Sequence, residues 1–175
     1  SDALSAAIGA TVIAYPTQQD GFPAAGNFDA APRLELVLVA DEHVIILDDT
    51  GVIIDALRIP QDPAFGSFAG GPPTVGDFDA DGAPEIGVAG ESRYVVLDFN
   101  AGVLSVLWER PIQEQSSSRT GSSVFDFDAD GRAEVVYNDE TVLRIYTFHG
   151  GNPPAGYSGC DATLCVWERP NTSLT

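Results

Sequence analysis

The feature that most constrains this chain is that it repeats itself. "GDFDADGAPEIGVAG" from Gly76 recurs as "FDFDADGRAEVVYND" from Phe125, and more faintly as "GNFDAAPRLELVLVA" from Gly26. The three acidic stretches begin at Asn27, Asp77 and Asp126, so the period is 77 − 27 = 50 and then 126 − 77 = 49 residues. A second marker runs in phase with the first: "VIAYP" at Val12–Pro16, "ALRIP" at Ala56–Pro60, "LWERP" at Leu107–Pro111 and "VWERP" at Val166–Pro170. Each marker follows an apolar run and closes a unit. A chain built this way folds as stacked copies of one small unit, because a single copy cannot cover its own apolar faces.

The unit is made of strands. After the acidic stretch at Gly76 come "PEIGVAG", "RYVVLDF", a turn at "NAG" and "VLSVLWERP"; the stretch "GPPTVGDF" before it supplies a further run. The runs are short, rich in Val, Ile, Leu and aromatics, and bounded by Gly, Asn or Pro, as strands are. No apolar stripe persists at helical spacing for the ten or so residues a helix needs. Four short antiparallel strands in about 50 residues is the size of a β-propeller blade. A β-sandwich of hairpins is the alternative. The expected fold is therefore all-β: a propeller segment of about three four-stranded blades. The divisions expected are 1–21 for the last strand or strands of a preceding blade, 22–66 for a blade with a degenerate loop, and 67–115 and 116–175 for two blades with full acidic loops.

The acidic loops have a chemistry of their own. Carboxylates at loop positions 1, 3 and 5 turn alternate side chains toward one centre, which suits Ca²⁺, a hard cation taking six to eight oxygen ligands. In one loop these are Asp77, Asp79 and Asp81; Gly82 allows the bend, Ala83 offers a backbone carbonyl at position 7 and Glu85 stands at position 9. In the other they are Asp126, Asp128 and Asp130, with the carbonyl of Arg132 and Glu134. Four carboxylates on nine residues repel one another, and a divalent ion relieves that repulsion. The competing reading is an acidic turn whose aspartates cap backbone amides. An EF-hand shares the opening D-x-D-x-D-G but needs a Glu at position 12, where Val88 and Tyr137 stand here. The first copy keeps Asn27, Asp29 and Glu35 but has Ala31 and Pro32 where the aspartate and glycine belong, so it is expected empty or weak. Phe28, Phe78 and Phe127 lie between the first two ligand positions of the three loops and are expected to pack between blades.

The "DFDADGxxE" loop inside a 50-residue four-strand unit resembles the FG-GAP/VCBS repeat, the blade of integrin-α-like propellers and of many secreted bacterial surface proteins. The resemblance covers nearly the whole chain. It implies that the loop between the first two strands of a blade holds Ca²⁺, and it leaves the ligand of the propeller open.

Charge limits the partners. The 175 residues carry 26 Asp+Glu against 8 Arg and no Lys, a formal charge of −18. Phosphate backbones and anionic membranes require a basic face, so nucleic acid and membrane surfaces are excluded as partners. No apolar run reaches the roughly 18 residues of a spanning helix. The absence of Met points to a processed or excised piece. Cys160 and Cys165 suit a disulfide closing a tight loop in an extracytoplasmic compartment, or a pair of free thiols; no second Cys pair offers a zinc site. His43 and His149 share no local motif with a nucleophile and read as strand or turn residues. Ser116–Ser118 and Ser122–Ser123 read as a solvated linker, and Asn171 begins an N-x-T/S sequon.

Propellers close with about four to eight blades. Three loop-bearing units cannot close a ring alone, so the chain is expected to pack against the rest of its own propeller or against identical copies. The functional expectation is a secreted or cell-surface, non-enzymatic, Ca²⁺-stabilised module for binding, adhesion or surface assembly. Two rivals stand beside it: a lectin-like propeller, which would expose aromatic platforms such as Trp108, Trp167, Tyr94 or Tyr157, and a domain of a secreted polysaccharide-degrading enzyme.

Overall fold

A computed structural model describes residues 21–29, 31–40, 42–64, 69–114, 120–152 and 159–171. Twelve strands run through them: β1 (Phe22–Gly26), β2 (Glu35–Ala40), β3 (His43–Leu47), β4 (Ile53–Arg58), β5 (Thr74–Gly76), β6 (Glu85–Ala89), β7 (Arg93–Asn100), β8 (Val103–Pro111), β9 (Ser123–Phe125), β10 (Glu134–Asn138), β11 (Val142–Phe148) and β12 (Leu164–Pro170). No helix forms among the described residues. The strands make three four-stranded sheets in sequence order, β1 to β4, β5 to β8 and β9 to β12, each pair antiparallel. These are the propeller-like blades, here called blades 1, 2 and 3.

The blades share one register. The first strand of each pairs its last residue with the Glu that opens the second: Gly26 with Glu35, Gly76 with Glu85 and Phe125 with Glu134. The third and fourth strands of blades 1 and 2 shift register at the same repeat position, at Ile46/Leu47 and at Val96/Leu97. The two-residue period of a strand sends successive side chains to opposite faces, and because the middle blade is covered on both, β6 and β7 read as nearly continuous apolar runs.

Two cores result. Phe28, Val37, Val39, Val44 and Ile46 of blade 1 meet Ile86, Val88, Val95, Leu97 and Phe99 of blade 2. On the other face, Phe78, Tyr94, Val96 and Trp108 of blade 2 meet Val135, Tyr137, Tyr146 and Leu164 of blade 3. Tyr94 is the centre of the second core, with ring centroids 5.2 to 5.8 Å from Tyr137, Tyr146 and Trp108. Its hydroxyl, buried, is bonded to Ser122 Oγ at 2.6 Å, which in turn meets Thr74 Oγ1 at 2.9 Å.

Two expectations are corrected here. Phe28 and Phe78 do pack between blades, but Phe127 is 57% exposed. No further blade covers it among the described residues. Ser122 and Ser123 are not a solvated linker: Ser122 ties β9 to Tyr94, and Ser123 opens β9 itself. Ser116–Ser118, Tyr157, the expected strand before Tyr15 and the boundaries at 21, 66 and 115 fall wholly or partly outside the described residues.

Candidate metal loops

Each acidic stretch is the connection between the first and second strands of its blade: 27–34, 77–84 and 126–133. The loop is a tight one in which backbone N–H groups converge on side-chain oxygens. The Asp77 carboxylate accepts from the N–H of Ala80 at 2.7 Å and of Gly82 at 3.1 Å, and Asp81 Oδ1 accepts from Ala83 at 2.8 Å. The Asp126 loop repeats this, with Asp130 and Gly131 donating to Asp126 at 3.1 Å and Arg132 donating to Asp130 at 2.8 Å. Gly82 and Gly131 both have φ of 92°, where a side chain is strained. Ala80 and Ala129 are held at φ of 64° and 58°, a left-handed bend that an L-residue adopts at a cost of about 1 kcal/mol or more.

Amide capping is thus part of what these aspartates do, but it does not account for the glutamates. Glu85 and Glu134 are buried, and each gives one oxygen to the N–H of the loop phenylalanine: Phe78 to Glu85 Oε2 at 2.6 Å and Phe127 to Glu134 Oε2 at 2.7 Å. Glu35 does the same for Phe28 at 2.8 Å. The glutamate is therefore a brace across the neck of all three loops, a role that its sequence offset alone does not reveal. The carboxylates gathered around it distinguish the copies. One carboxylate oxygen from each of Asp77, Asp79, Asp81 and Glu85 lies within 4.8 Å of the others, and Asp126, Asp128 and Glu134 form a like group. Glu134 Oε1 is buried without a hydrogen-bond partner, an orphaned acceptor beside two more carboxylates.

Electrostatics follow. Burial pushes the Glu85 carboxyl up to about 8, and the charges of Asp79, Asp77 and Asp81 add to it against the pull of the Phe78 N–H. Burial likewise raises Glu134 to about 7, with Asp128, Asp130 and Asp126 adding. Burial and the neighbouring Asp81 raise Asp79. Burial and Asp81 also raise Asp98, which reaches the field of the loop from β7. No motif marks Asp98; its counterparts are Asp48 in blade 1 and Thr147 in blade 3. A group that a carboxylate cluster holds partly protonated is one that a divalent cation would deprotonate and occupy. The donors are all hard oxygens, so the residues present fit Ca²⁺ better than a soft metal.

The loops differ in detail. Asp130 stands apart from the Asp126, Asp128 and Glu134 group, its carboxylate held by the Arg132 guanidinium at 3.1 Å as well as by the Arg132 N–H. In the first copy Asn27 and Asp29 are exposed, and Asp29 caps the Ala31 N–H at 2.6 Å.

Elsewhere the structure settles smaller matters. Cys160 and Cys165 are joined as a disulfide, so they are not free thiols. His43 lies in β3, and His149 is buried with its Nδ1 accepting from the Gly151 N–H at 3.1 Å. Of the aromatics named as sugar platforms, Tyr94 and Trp108 are core residues, whereas Trp167 is exposed. No helix among the described residues is long and apolar enough to cross a membrane.

Residues 77–137 match the FG-GAP-like repeat. No curated protein matches the chain. Among solved structures the fold is similar to that of Bacillus licheniformis rhamnogalacturonan lyase PL11, with a TM-score of 0.51 and 14% identity over 74% of this chain. The chain spans 35% of that enzyme's length. At such identity the likeness is one of fold. The disulfide and the repeat fit an extracellular protein. Residues 77–137 are thus similar to the FG-GAP-like repeat, and they lie within an all-β chain of propeller-like four-stranded blades.

Proposed function

We propose that this chain is a Ca²⁺-stabilised extracellular propeller module for binding, adhesion or surface assembly, non-catalytic, on the secreted or cell-surface side. The observation that carries the reading is the pair of loops in which a buried glutamate joins two or three aspartates within 4.8 Å, twice, at the same repeat position. Asp77, Asp79, Asp81 and Glu85 would hold one ion with the carbonyl of Ala83; Asp126, Asp128 and Glu134, joined by Asp130 once it leaves the Arg132 guanidinium, would hold the other with the carbonyl of Arg132. Bound Ca²⁺ would neutralise the crowded carboxylates. The chain's own part is to hold them: Glu85 and Glu134 brace the loop necks, and the aspartates gather the loop amides. Each loop connects a first strand to a second, so fixing it fixes the register of a blade. The ion acts here as a staple.

Metal analysis after dialysis in Ca²⁺ tests this. Two ions per chain are expected, falling to one in Asp79→Ala or in Asp128→Ala. At a hundredfold excess over Kd each site contributes about 2.7 kcal/mol, or roughly 5 to 11 °C in Tm for a chain of this size. A stoichiometry near zero, or a melt unchanged by chelator, overturns the reading.

A second reading has one observation in its favour. The fold likeness to a rhamnogalacturonan lyase supports an ancillary domain of a secreted polysaccharide-degrading enzyme. Binding of rhamnogalacturonan by the purified chain, read by affinity electrophoresis, would favour it over a module that binds protein.

A further inference from the structure

The loops of blades 2 and 3 are copies of one unit, so a difference at one position can be read against all that they share. They share the register of the bracing glutamate and the φ of 92° at Gly82 and Gly131. They also share the amide of the seventh loop residue, which donates to the fifth-position aspartate at 2.8 Å in each, Ala83 to Asp81 and Arg132 to Asp130. They part at the side chain of that seventh residue. Ala83 carries a methyl, and Asp81 stands with Asp77, Asp79 and Glu85 in a group whose oxygens lie within 4.8 Å of one another. Arg132 carries a guanidinium, whose Nη1 donates to Asp130 Oδ2 at 3.1 Å, and Asp130 is missing from the group that Asp126, Asp128 and Glu134 form. One residue therefore grips the aspartate twice, through its main chain and through its side chain.

That grip has to be broken before Asp130 can face an ion. The side chains of Arg132 and Asp130 are 29% and 27% exposed, so water and salt screen the pair less than one on the open surface. Arg132 Nε is already buried without a hydrogen-bond partner, and release of Asp130 takes another partner from the same guanidinium. Glu134 Oε1, buried in the same loop, is also without a partner: it is an acceptor that a cation would satisfy and that the guanidinium does not. The surrounding charge differs in the same sense. Four carboxylates stand in each loop, but in blade 3 Arg132 offsets one of them, and Thr147 occupies the place from which Asp98 adds its charge to the field at Asp81 in blade 2.

We propose that the Arg132 side chain sets the two loops to different Ca²⁺ concentrations: the blade 2 loop fills first, and the blade 3 loop fills only where Ca²⁺ is abundant enough to take Asp130 from the guanidinium. This rests on the Ca²⁺ reading of the loops given above. The affinity of such loops follows the number of charged ligands and how firmly they are held in place; with one carboxylate fewer in position and one positive charge added, the two Kd values differ by at least about tenfold. Between the two half-points the chain carries one ion. The neck of blade 2 is then stapled by metal, while that of blade 3 is held by the Glu134 brace to the Phe127 amide alone. Blade 3 is thus the part of the chain whose loop follows the surrounding Ca²⁺ level.

Calorimetric titration of the Ca²⁺-depleted chain with CaCl₂ is the test, with three variants. The wild type is expected to bind in two steps separated by at least about tenfold in Kd. Asp128→Ala assigns the steps: it removes a blade 3 ligand and is expected to abolish the weak step and spare the tight one. Arg132→Ala gives the blade 3 loop the seventh residue of blade 2, keeps the backbone carbonyl there, and is expected to tighten the weak step by about fivefold or more while the tight step stays in place. Ala83→Arg is the reciprocal change and is expected to weaken the tight step by a like factor; it decides the matter by itself if Arg132→Ala does not fold. Two equal steps, loss of the tight step in Asp128→Ala, or a seventh-residue exchange that moves neither step overturns the proposal and leaves the Ca²⁺ reading standing. No bound Ca²⁺ in the wild type overturns both.

Discussion

The clearest energetic test lies in the turn between β10 and β11, where Asp139 locks blade 3 to blade 2. Its side chain is fully buried. Oδ1 accepts from the N–H groups of Thr141 at 2.8 Å and Val142 at 2.7 Å, and Oδ2 accepts from the Gln113 N–H at 2.9 Å, a residue that follows β8. The Arg144 guanidinium, itself buried, donates to the same oxygen and also to Glu168 at 2.8 Å. Burial alone would raise this carboxyl; the Gln113 amide, Arg144 and the two turn amides together hold it down from 3.8 to about 2. At about 1.4 kcal/mol for each tenfold change in proton affinity, that depression corresponds to about 2.5 kcal/mol of stability. Asp139→Asn keeps the shape but sets a carboxamide NH₂ against the Gln113 N–H or Arg144, so leaving a buried donor and a buried charge unmatched brings the loss to about 3 to 4 kcal/mol. For a chain this size the Tm falls by roughly 6 to 16 °C at pH 7. The folded pKa lies below the unfolded one, so the contribution is complete above about pH 5 and is lost as pH falls through 3.8 toward 2. The gap between wild type and variant, followed by calorimetry from pH 7 to pH 2.5, should therefore shrink by about 1.6 kcal/mol, roughly half of it. A gap that is absent at pH 7, or that keeps its size into acid, would refute the assignment of this carboxylate as an ionised latch.

Other substitutions probe the same junctions. At the corresponding turn of blade 2, Gly90 stands where Asp139 stands in blade 3, and the space it leaves admits Gln61, whose Oε1 accepts from the N–H groups of Glu91 and Ser92 at 3.1 Å each. A Cβ on Gly90 would lie 2.0 Å from Gln61 Nε2, so Gly90→Ala expels that side chain and should cost about 1 to 3 kcal/mol in urea unfolding, but almost nothing when Gln61→Ala is already present. Tyr94→Phe removes the hydroxyl that meets Ser122 at 2.6 Å and Thr74 Oγ1 at 3.3 Å but leaves the Ser122–Thr74 bond, and a loss of about 1 kcal/mol is expected; a loss above about 3 would mean that the hydroxyl supports more than these two partners. Replacing Cys160 and Cys165 with Ser opens a short loop and should lower stability by about 2 kcal/mol, read as a reduced denaturation midpoint with unchanged slope.

What the sequence determined by itself is what local chemistry and repetition can carry. The 50-residue period, the strand-length apolar runs and the Gly- and Asn-bounded turns sufficed for four-stranded units, and the acidic loop fell between first and second strands because a run of alternating aspartates closed by glycine can be nothing but a bend. The cysteines were legible as a candidate pair because five positions separate them. Tertiary structure decided the rest, because it depends on what each face meets. Phe28, Phe78 and Phe127 are identical in sequence and sit at identical repeat positions, yet two are buried and one is exposed, since burial belongs to the neighbouring blade and not to the residue. Glu85 and Glu134 looked like ninth-position ligands; only the fold shows that each first braces a phenylalanine amide, in the buried setting that raises its carboxyl. Asp130 follows the same motif as Asp81, but the guanidinium of Arg132, which replaces Ala83, draws it from the cluster. Asp98 and Asp139 act across strands and blades, over distances in sequence that no local pattern spans. A periodic sequence specifies the unit; the differences between copies acquire meaning only when the copies are set side by side.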